Sequence, residues 1–95
     1  LLVNATTLGM WPKVDRSVWP AALAFPAHLT VYDLVYNPLE TRLLRRAREA
    51  GARPIDGLGM LARQGAIALD HWTALSLDVA ATATEMRRVC EAALA

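Results

Sequence analysis

One stretch constrains this chain more than any other: Arg53-Pro54-Ile55-Asp56-Gly57-Leu58-Gly59-Met60-Leu61-Ala62-Arg63-Gln64-Gly65-Ala66. It reads as a short extended run, a pair of glycines around a leucine, and then an apolar helix carrying one uncharged polar side chain, Gln64. Without a Cβ, Gly57 and Gly59 permit a turn that other residues resist and let a ligand or a second backbone come close. Met60 and Gln64 are four residues apart and so share a helix face. That face pairs a soft thioether with an amide that both donates and accepts. Such a surface suits a flat heteroaromatic ring lying beside a hydroxylated small molecule.

Two plainer readings fit the same residues. Gly57, Gly59 and Ala62 match the G-x-G-x-x-A spacing of a dinucleotide fingerprint. That fingerprint follows a long hydrophobic strand and leads to a second strand about thirty residues on. Here Pro54-Ile55 is short and broken by proline, and no strand-like run follows Trp72. Alternatively the glycines make an ordinary strand-to-helix turn and Met60 belongs to a core.

Length and composition narrow the function classes. At 95 residues the chain has room for one small domain. A hydrophobic fraction of 55% implies that helices cover most sheet faces or that some faces expect a partner. A net charge of +1 gives no reason to invoke nucleic acid or an anionic membrane surface. The lone Cys90 cannot close an internal disulfide, which points to a reducing, cytoplasmic setting and a buried thiol. No apolar run approaches the roughly eighteen residues needed to span a bilayer. The start at Leu1-Leu2-Val3, without an initiator methionine or charged n-region, is not a signal peptide and reads as mid-strand, as in a piece of something longer.

Along the chain, residues 1–6 read as the end of a buried parallel strand whose polar residues leave the sheet. Ligands gather outside the carboxyl ends of such strands, which places Asn4, Thr6 and Thr7 where a cofactor could lie, unless they merely turn the backbone. Prolines at 12, 20 and 26 make residues 11–29 a surface connection with one short helical turn over 18–23. His28 has no second His or Cys at ligand spacing, so no metal is expected. Residues 30–36 are β-branched and aromatic, the best strand, ending at Asn37-Pro38 and carrying Leu34 and Tyr36 toward the crevice. Residues 38–41 open a helix with a proline and an acid in its first turn. Leu43, Leu44 and Ala47 form its buried stripe, Arg42, Arg45, Arg46 and Arg48 a solvated face, and Gly51 a left-handed cap. The central helix continues through Trp72, with Asp70 and His71 turned to water. After a connector at 75–77, Asp78 caps a last amphipathic helix with Val79, Ala83, Met86, Val89, Cys90 and Ala93 on one side.

Three blocks, in this order, resemble the shikimate dehydrogenase family: Val3-Asn4-Ala5-Thr6-Thr7-Leu8-Gly9-Met10, then Tyr32-Asp33-Leu34-Val35-Tyr36-Asn37-Pro38-Leu39-Glu40-Thr41, then residues 56–66 closed by Trp72-Thr73. The resemblance covers nearly the whole chain. It implies an α/β fold: the C-terminal half of a Rossmann-type NADP-binding domain, parallel strands flanked by helices, with C-terminal helices packing back toward a missing substrate domain. Residues 1–75 would be the second half of the nucleotide-binding domain and 76–95 the terminal helix.

The family reduces 3-dehydroshikimate to shikimate with NADPH in aromatic amino-acid synthesis. The resemblance therefore implies cofactor contacts from Asn4, Thr6, Thr7 and Leu34, the last standing where the family often has methionine. Gly57 would offer its carbonyl to the nicotinamide carboxamide and Met60 would pack on the ring. Tyr36 and Gln64 would contact substrate. The family's catalytic lysine and aspartate, its glycine-rich phosphate loop and its basic 2′-phosphate motif have no counterpart here, and Lys13 lies outside the matching motif. The expectation is a piece that needs the N-terminal part of the enzyme as its partner and is inactive alone. A non-catalytic fragment or binding domain, and a quinate or NAD-using enzyme, are the alternatives.

Overall fold

The computed structural model describes residues 1–94, and its contacts divide it after Gly57 into two compact units. The first holds three short parallel strands, β1 (Leu2–Asn4), β2 (Thr30–Asp33) and β3 (Arg53–Ile55), in the order β1-β2-β3, with helix α1 (Arg42–Glu49) between β2 and β3 in sequence. Register pairs Leu2 with Val31 and Asn4 with Asp33 on one side of β2, and Thr30 with Arg53 and Tyr32 with Ile55 on the other. Pro54 is tolerated because β3 is an edge strand, where a missing N–H costs no ladder bond on the open side. Val31, Leu43, Leu44, Ala47 and Ala52 are buried together, with Leu2, Val18, Trp19, Phe25 and Leu29 packed around them.

Strand β2 ends at Asp33 rather than running to Tyr36 as the residue pattern suggested. Leu34 still donates to the Asn4 carbonyl (3.1 Å), but the Asp33 carboxylate then takes the Val35 amide (3.0 Å) and turns the chain out of the ladder. Helix α1 likewise begins after the expected point. Thr41 is its N-cap, with an extended backbone and a side chain accepting from the Leu44 amide, and no acid lies in its first turn. Its C-terminus matches expectation. Gly51 at φ +83° donates to the Arg48 carbonyl and Ala52 to the Ala47 carbonyl, which is the Schellman arrangement.

Residues 5–29 contain turns and no helix. In place of the helical turn expected over 18–23 there is a tight turn, with the Leu23 amide donating to the Pro20 carbonyl (3.1 Å) and the Trp19 indole N–H donating to the Leu23 carbonyl (3.3 Å). The segment is held from outside. Arg42 donates to the Asp15 carbonyl (2.6 Å), and Arg46 donates to those of Pro20 (3.2 Å) and Leu23 (2.8 Å) while its guanidinium lies over the Phe25 ring. Two of the four arginines assigned to a solvated face thus satisfy loop carbonyls that have no secondary structure to pair with. Arg48 does face water, paired with Glu40.

The second unit is a helical hairpin, α2 (Leu58–Thr73) packed against α3 (Val79–Leu94). Leu58, Ala62 and Ala66 recur every four residues and are buried, as is Ala83 of α3, and Gly65 sits against the Met86 sulfur. Position 75/76 falls within the connector, where Ala74 and Ser76 have positive φ. Asp70 is not simply turned to water: its carboxylate takes the Leu77 amide (2.7 Å) and so closes the connector. Asp78 caps α3 through the Ala81 amide (3.1 Å). Of the stripe assigned to α3, Ala83 is buried and Val79, Met86 and Cys90 are half-buried, whereas Val89 and Ala93 are exposed. A single neighbouring helix covers only part of such a stripe.

Candidate functional site

The carboxyl ends of β1 and β2 lie side by side because their register pairs Asn4 with Asp33, the last residue of each strand. Beyond them opens a cleft of about 280 Å³ lined by Ala5, Thr6, Met10, Trp11, Leu34, Val35, Tyr36 and Asn37. The β1 side supplies Thr6 and the β2 side Leu34 and Tyr36. The Trp11 amide donates to the Asn37 carbonyl (2.8 Å) and joins the two sides at the rim, beside the cis bonds before Pro12 and Pro38.

Beneath the cleft lies a fully hydrogen-bonded buried polar cluster. Asn4, Asp33 and Thr41 are each at most 2% exposed. Asn4 donates from Nδ2 to the Asp33 carboxylate (3.1 Å) and to the Leu8 carbonyl (3.2 Å). Its Oδ1 accepts the Thr6 amide (3.0 Å) and the Thr6 hydroxyl (2.6 Å). The other Asp33 oxygen accepts the Thr41 hydroxyl (2.6 Å), and no buried side-chain polar atom among the described residues is left without a partner. This arrangement is demanding, because an unpaired buried polar group costs more than a paired one returns.

Three of the expected site residues, Thr6, Leu34 and Tyr36, come together in this cleft. Asn4 lies under it, buried, with its amide fully engaged by Thr6, Leu8 and Asp33. Thr7 is exposed but does not line the cleft; its carbonyl holds the Met10 amide (3.1 Å). Gly57 is buried where a Cβ would lie 2.3 Å from the Leu34 carbonyl oxygen and 2.9 Å from that of Asp33. A glycine is required there by close backbone approach, behind the same residues that form the cleft wall. In the second unit Met60 and Gln64 are both exposed on one face of α2, not turned into a core. Gln64 borders an apolar groove with Leu61, Gly65, Met86 and Val89.

Asp33 and Thr41 escaped the sequence reading as site residues. Their signal is an acid at the end of a β-branched strand and a threonine just before a helical Leu-Leu pair. Neither tells which partner the side chain will find eight residues away. Among the described residues no group of His, Cys, Asp or Glu is gathered for a metal ion, and no helix is long and apolar enough to cross a membrane.

A three-stranded parallel sheet with a helical connection, and a cleft outside the carboxyl ends of its strands, is the architecture of part of a Rossmann-type domain. The chain belongs, more particularly, to the shikimate dehydrogenase family. It is 52% identical over 79 residues to shikimate dehydrogenase (NADP(+)) of Methanosarcina barkeri, a match covering 83% of this chain and 28% of that protein. The Thermus thermophilus shikimate 5-dehydrogenase solved with NADP(H) and shikimate superposes with a TM-score of 0.73 at 45% identity, over 92% of this chain and 33% of that one. The chorismate mutase/shikimate 5-dehydrogenase fusion protein of Clostridium acetobutylicum gives a TM-score of 0.79 at 33% identity, over 97% of this chain and 33% of that one. The chain spans about a third or less of the length of these relatives, a share that a C-terminal piece of such an enzyme fits. No protein-family model matches it.

Proposed function

We propose that this chain supplies nicotinamide and substrate contacts to an NADP-dependent shikimate dehydrogenase, which reduces 3-dehydroshikimate to shikimate. The observation that carries the reading is the cleft that gathers Thr6, Leu34 and Tyr36 at the exits of two parallel strands. Its lining fits one end of a dinucleotide: Met10 and Leu34 give an apolar wall for a flat ring, and the hydroxyls of Thr6 and Tyr36 give polar contacts to a sugar or ring substituent. When bound, the cofactor supplies the hydride.

The chain's own residues hold and orient. Leu34 and Met10 keep water from one side of the ring, and Tyr36, 42% exposed, offers its phenol to substrate. Gly57 presents a backbone carbonyl to the carboxamide, Met60 packs on the ring, and Gln64 hydrogen-bonds a substrate hydroxyl. Asn4 and Thr7 support the turn that carries Thr6. Proton transfer belongs to the lysine and aspartate of the family's N-terminal part, the partner this piece requires, so the chain alone is inactive. A reducing cytoplasm suits its free thiol, Cys90.

A second reading, a non-catalytic module, draws support from large apolar side chains left open, Trp72 at 80% and Leu75 at 69% exposed. Mixing the chain with a separately prepared N-terminal part and following NADPH oxidation with 3-dehydroshikimate separates the two. Turnover above either piece alone is the expected result, and folded components without turnover favour the module. NAD with NADP, and quinate with shikimate, are compared in the same assay. In the complete enzyme Gln64→Ala should raise the KM for substrate about tenfold, the worth of one good hydrogen bond, and leave cofactor affinity within twofold. Equal loss of both would remove Gln64 from the substrate side.

A further inference from the structure

The hydrogen-bond polarity under the cleft is fixed by groups whose direction cannot change. The Thr6 backbone N–H can only donate, and it points at Asn4 Oδ1 (3.0 Å). The Leu8 carbonyl can only accept, and it takes Asn4 Nδ2 (3.2 Å). These two settle which way the Asn4 amide faces. Asp33 reinforces the choice, because its Oδ1 accepts from Asn4 Nδ2 and from the Val35 amide. On the far side the Leu44 amide donates to the Thr41 hydroxyl, so the Thr41 proton goes to Asp33 Oδ2. All three groups around the Asp33 carboxylate are therefore donors.

The same logic reaches Thr6. Its Oγ1 accepts the Leu8 amide (3.1 Å) and lies 2.6 Å from Asn4 Oδ1, an oxygen that can only accept. The single hydroxyl proton must lie between those two oxygens. What Thr6 offers the cleft is its remaining lone pair.

We infer that Thr6 is an acceptor-only contact: it takes a hydrogen bond from a neutral hydroxyl of the ligand and disfavours an anionic oxygen such as a phosphate or carboxylate, a polarity set by the Asn4 amide, whose direction the Thr6 N–H and the Leu8 carbonyl fix and Asp33 reinforces. The inference rests on the dehydrogenase reading and deepens it. A phosphate oxygen brought to Thr6 would face a lone pair, or would have to draw the proton from Asn4 and leave two oxygens opposed at 2.6 Å. The hydroxyl it selects is one of the cofactor's nicotinamide ribose or one on the substrate ring; both present the same chemistry.

The test is a double-mutant cycle between protein and ligand in the complete enzyme, read by calorimetric Kd. Wild type, Thr6→Ser and Thr6→Val are each titrated with NADP, with NADP carrying fluorine in place of each nicotinamide-ribose hydroxyl, with shikimate, and with shikimates fluorinated likewise. Fluorine removes the donor and nearly keeps the size. One fluorinated ligand is expected to bind wild type and Thr6→Ser about five- to tenfold more weakly than its parent, and to bind Thr6→Val no more weakly than its parent. The arm in which the effect vanishes identifies the hydroxyl. A merely structural Thr6 would weaken all ligands of Thr6→Val alike and leave every fluorine effect intact, which overturns the inference while the dehydrogenase reading stands. Wild type that binds neither NADP nor shikimate overturns both.

Discussion

The two units use polar groups in opposite ways. In the first, Asn4, Asp33 and Thr41 come from three separate segments and are buried together, each hydrogen-bonded to another of the three or to backbone amides and carbonyls. In the second, polar side chains act locally and mostly near the surface: Asp70 closes its own connector, Asp78 caps its own helix, and Arg87–Glu91 and Arg88–Glu85 pair along α3. Buried, mutually dependent groups fix position to fractions of an ångström and fail together. Exposed local pairs each contribute little and fail one at a time. A cleft whose Thr6, Leu34 and Tyr36 must hold a geometry is built over the first kind.

The sharpest way to break this contrast uses two glycines of one motif, one on each side of the division. At Gly57 an added Cβ would meet backbone, 2.3 Å from the Leu34 oxygen and 2.6 Å from its carbonyl carbon, and backbone cannot step aside. Gly57→Ala should cost about 3 kcal/mol or more. At Gly59 the nearest atom is the far end of a flexible side chain, Arg87 Nη1, at 3.4 Å. Gly59→Ala should be neutral or stabilise α2 by about 0.5 kcal/mol, since alanine favours helix. Urea unfolding midpoints compare the pair, and similar losses for both would contradict the backbone approach assigned to Gly57.

Asp33→Ala is next. It strands the Asn4 amide, the Thr41 hydroxyl and the Val35 N–H, and should cost about 2–3 kcal/mol. Asp78→Ala, its counterpart in the second unit, removes one exposed cap and should cost about 1 kcal/mol. Thermal melts of both variants test the ratio. A loss at Asp33 no larger than at Asp78 would mean that the buried cluster is not cooperative.

The same contrast explains what could be read from residues alone. Local rules carried well: the left-handed cap at Gly51, the Asp78 cap, and a helix running on from Leu58 through Trp72 all depend on neighbours within a turn. So did the exposed Met60 and Gln64 face, which needs only a spacing of four. What escaped depended on distant partners. The end of β2 is set by the Asp33 side chain reaching Val35, and the start of α1 by a Thr41 hydroxyl held between Asp33 and Leu44. Arg42 and Arg46 looked like solvated charges because their acceptors are carbonyls more than twenty residues away. The cleft was half legible: strand ends announced Thr6, Leu34 and Tyr36, but nothing in the pattern announced the acid and threonine beneath them.

The smallest expected effect lies at the exposed end of the comparison and is a matter of pH. Arg88, hydrogen-bonded to Glu85 and close to its charge, holds the Glu85 carboxyl below its ordinary value, and Glu85 in turn raises the Arg88 guanidinium. A folded-state value below the unfolded one means that the unfolded chain binds the proton more readily. The pair's contribution is therefore fully present above the unfolded glutamate range and fades as pH falls through the depressed folded one. Wild type and Glu85→Gln should differ slightly in melting temperature at neutral pH and converge in acid. Added salt should shrink the neutral-pH gap, because both side chains stand in water. A gap that persists unchanged at low pH would assign the Glu85 effect to helix packing rather than to charge, and would bring the second unit closer in kind to the first.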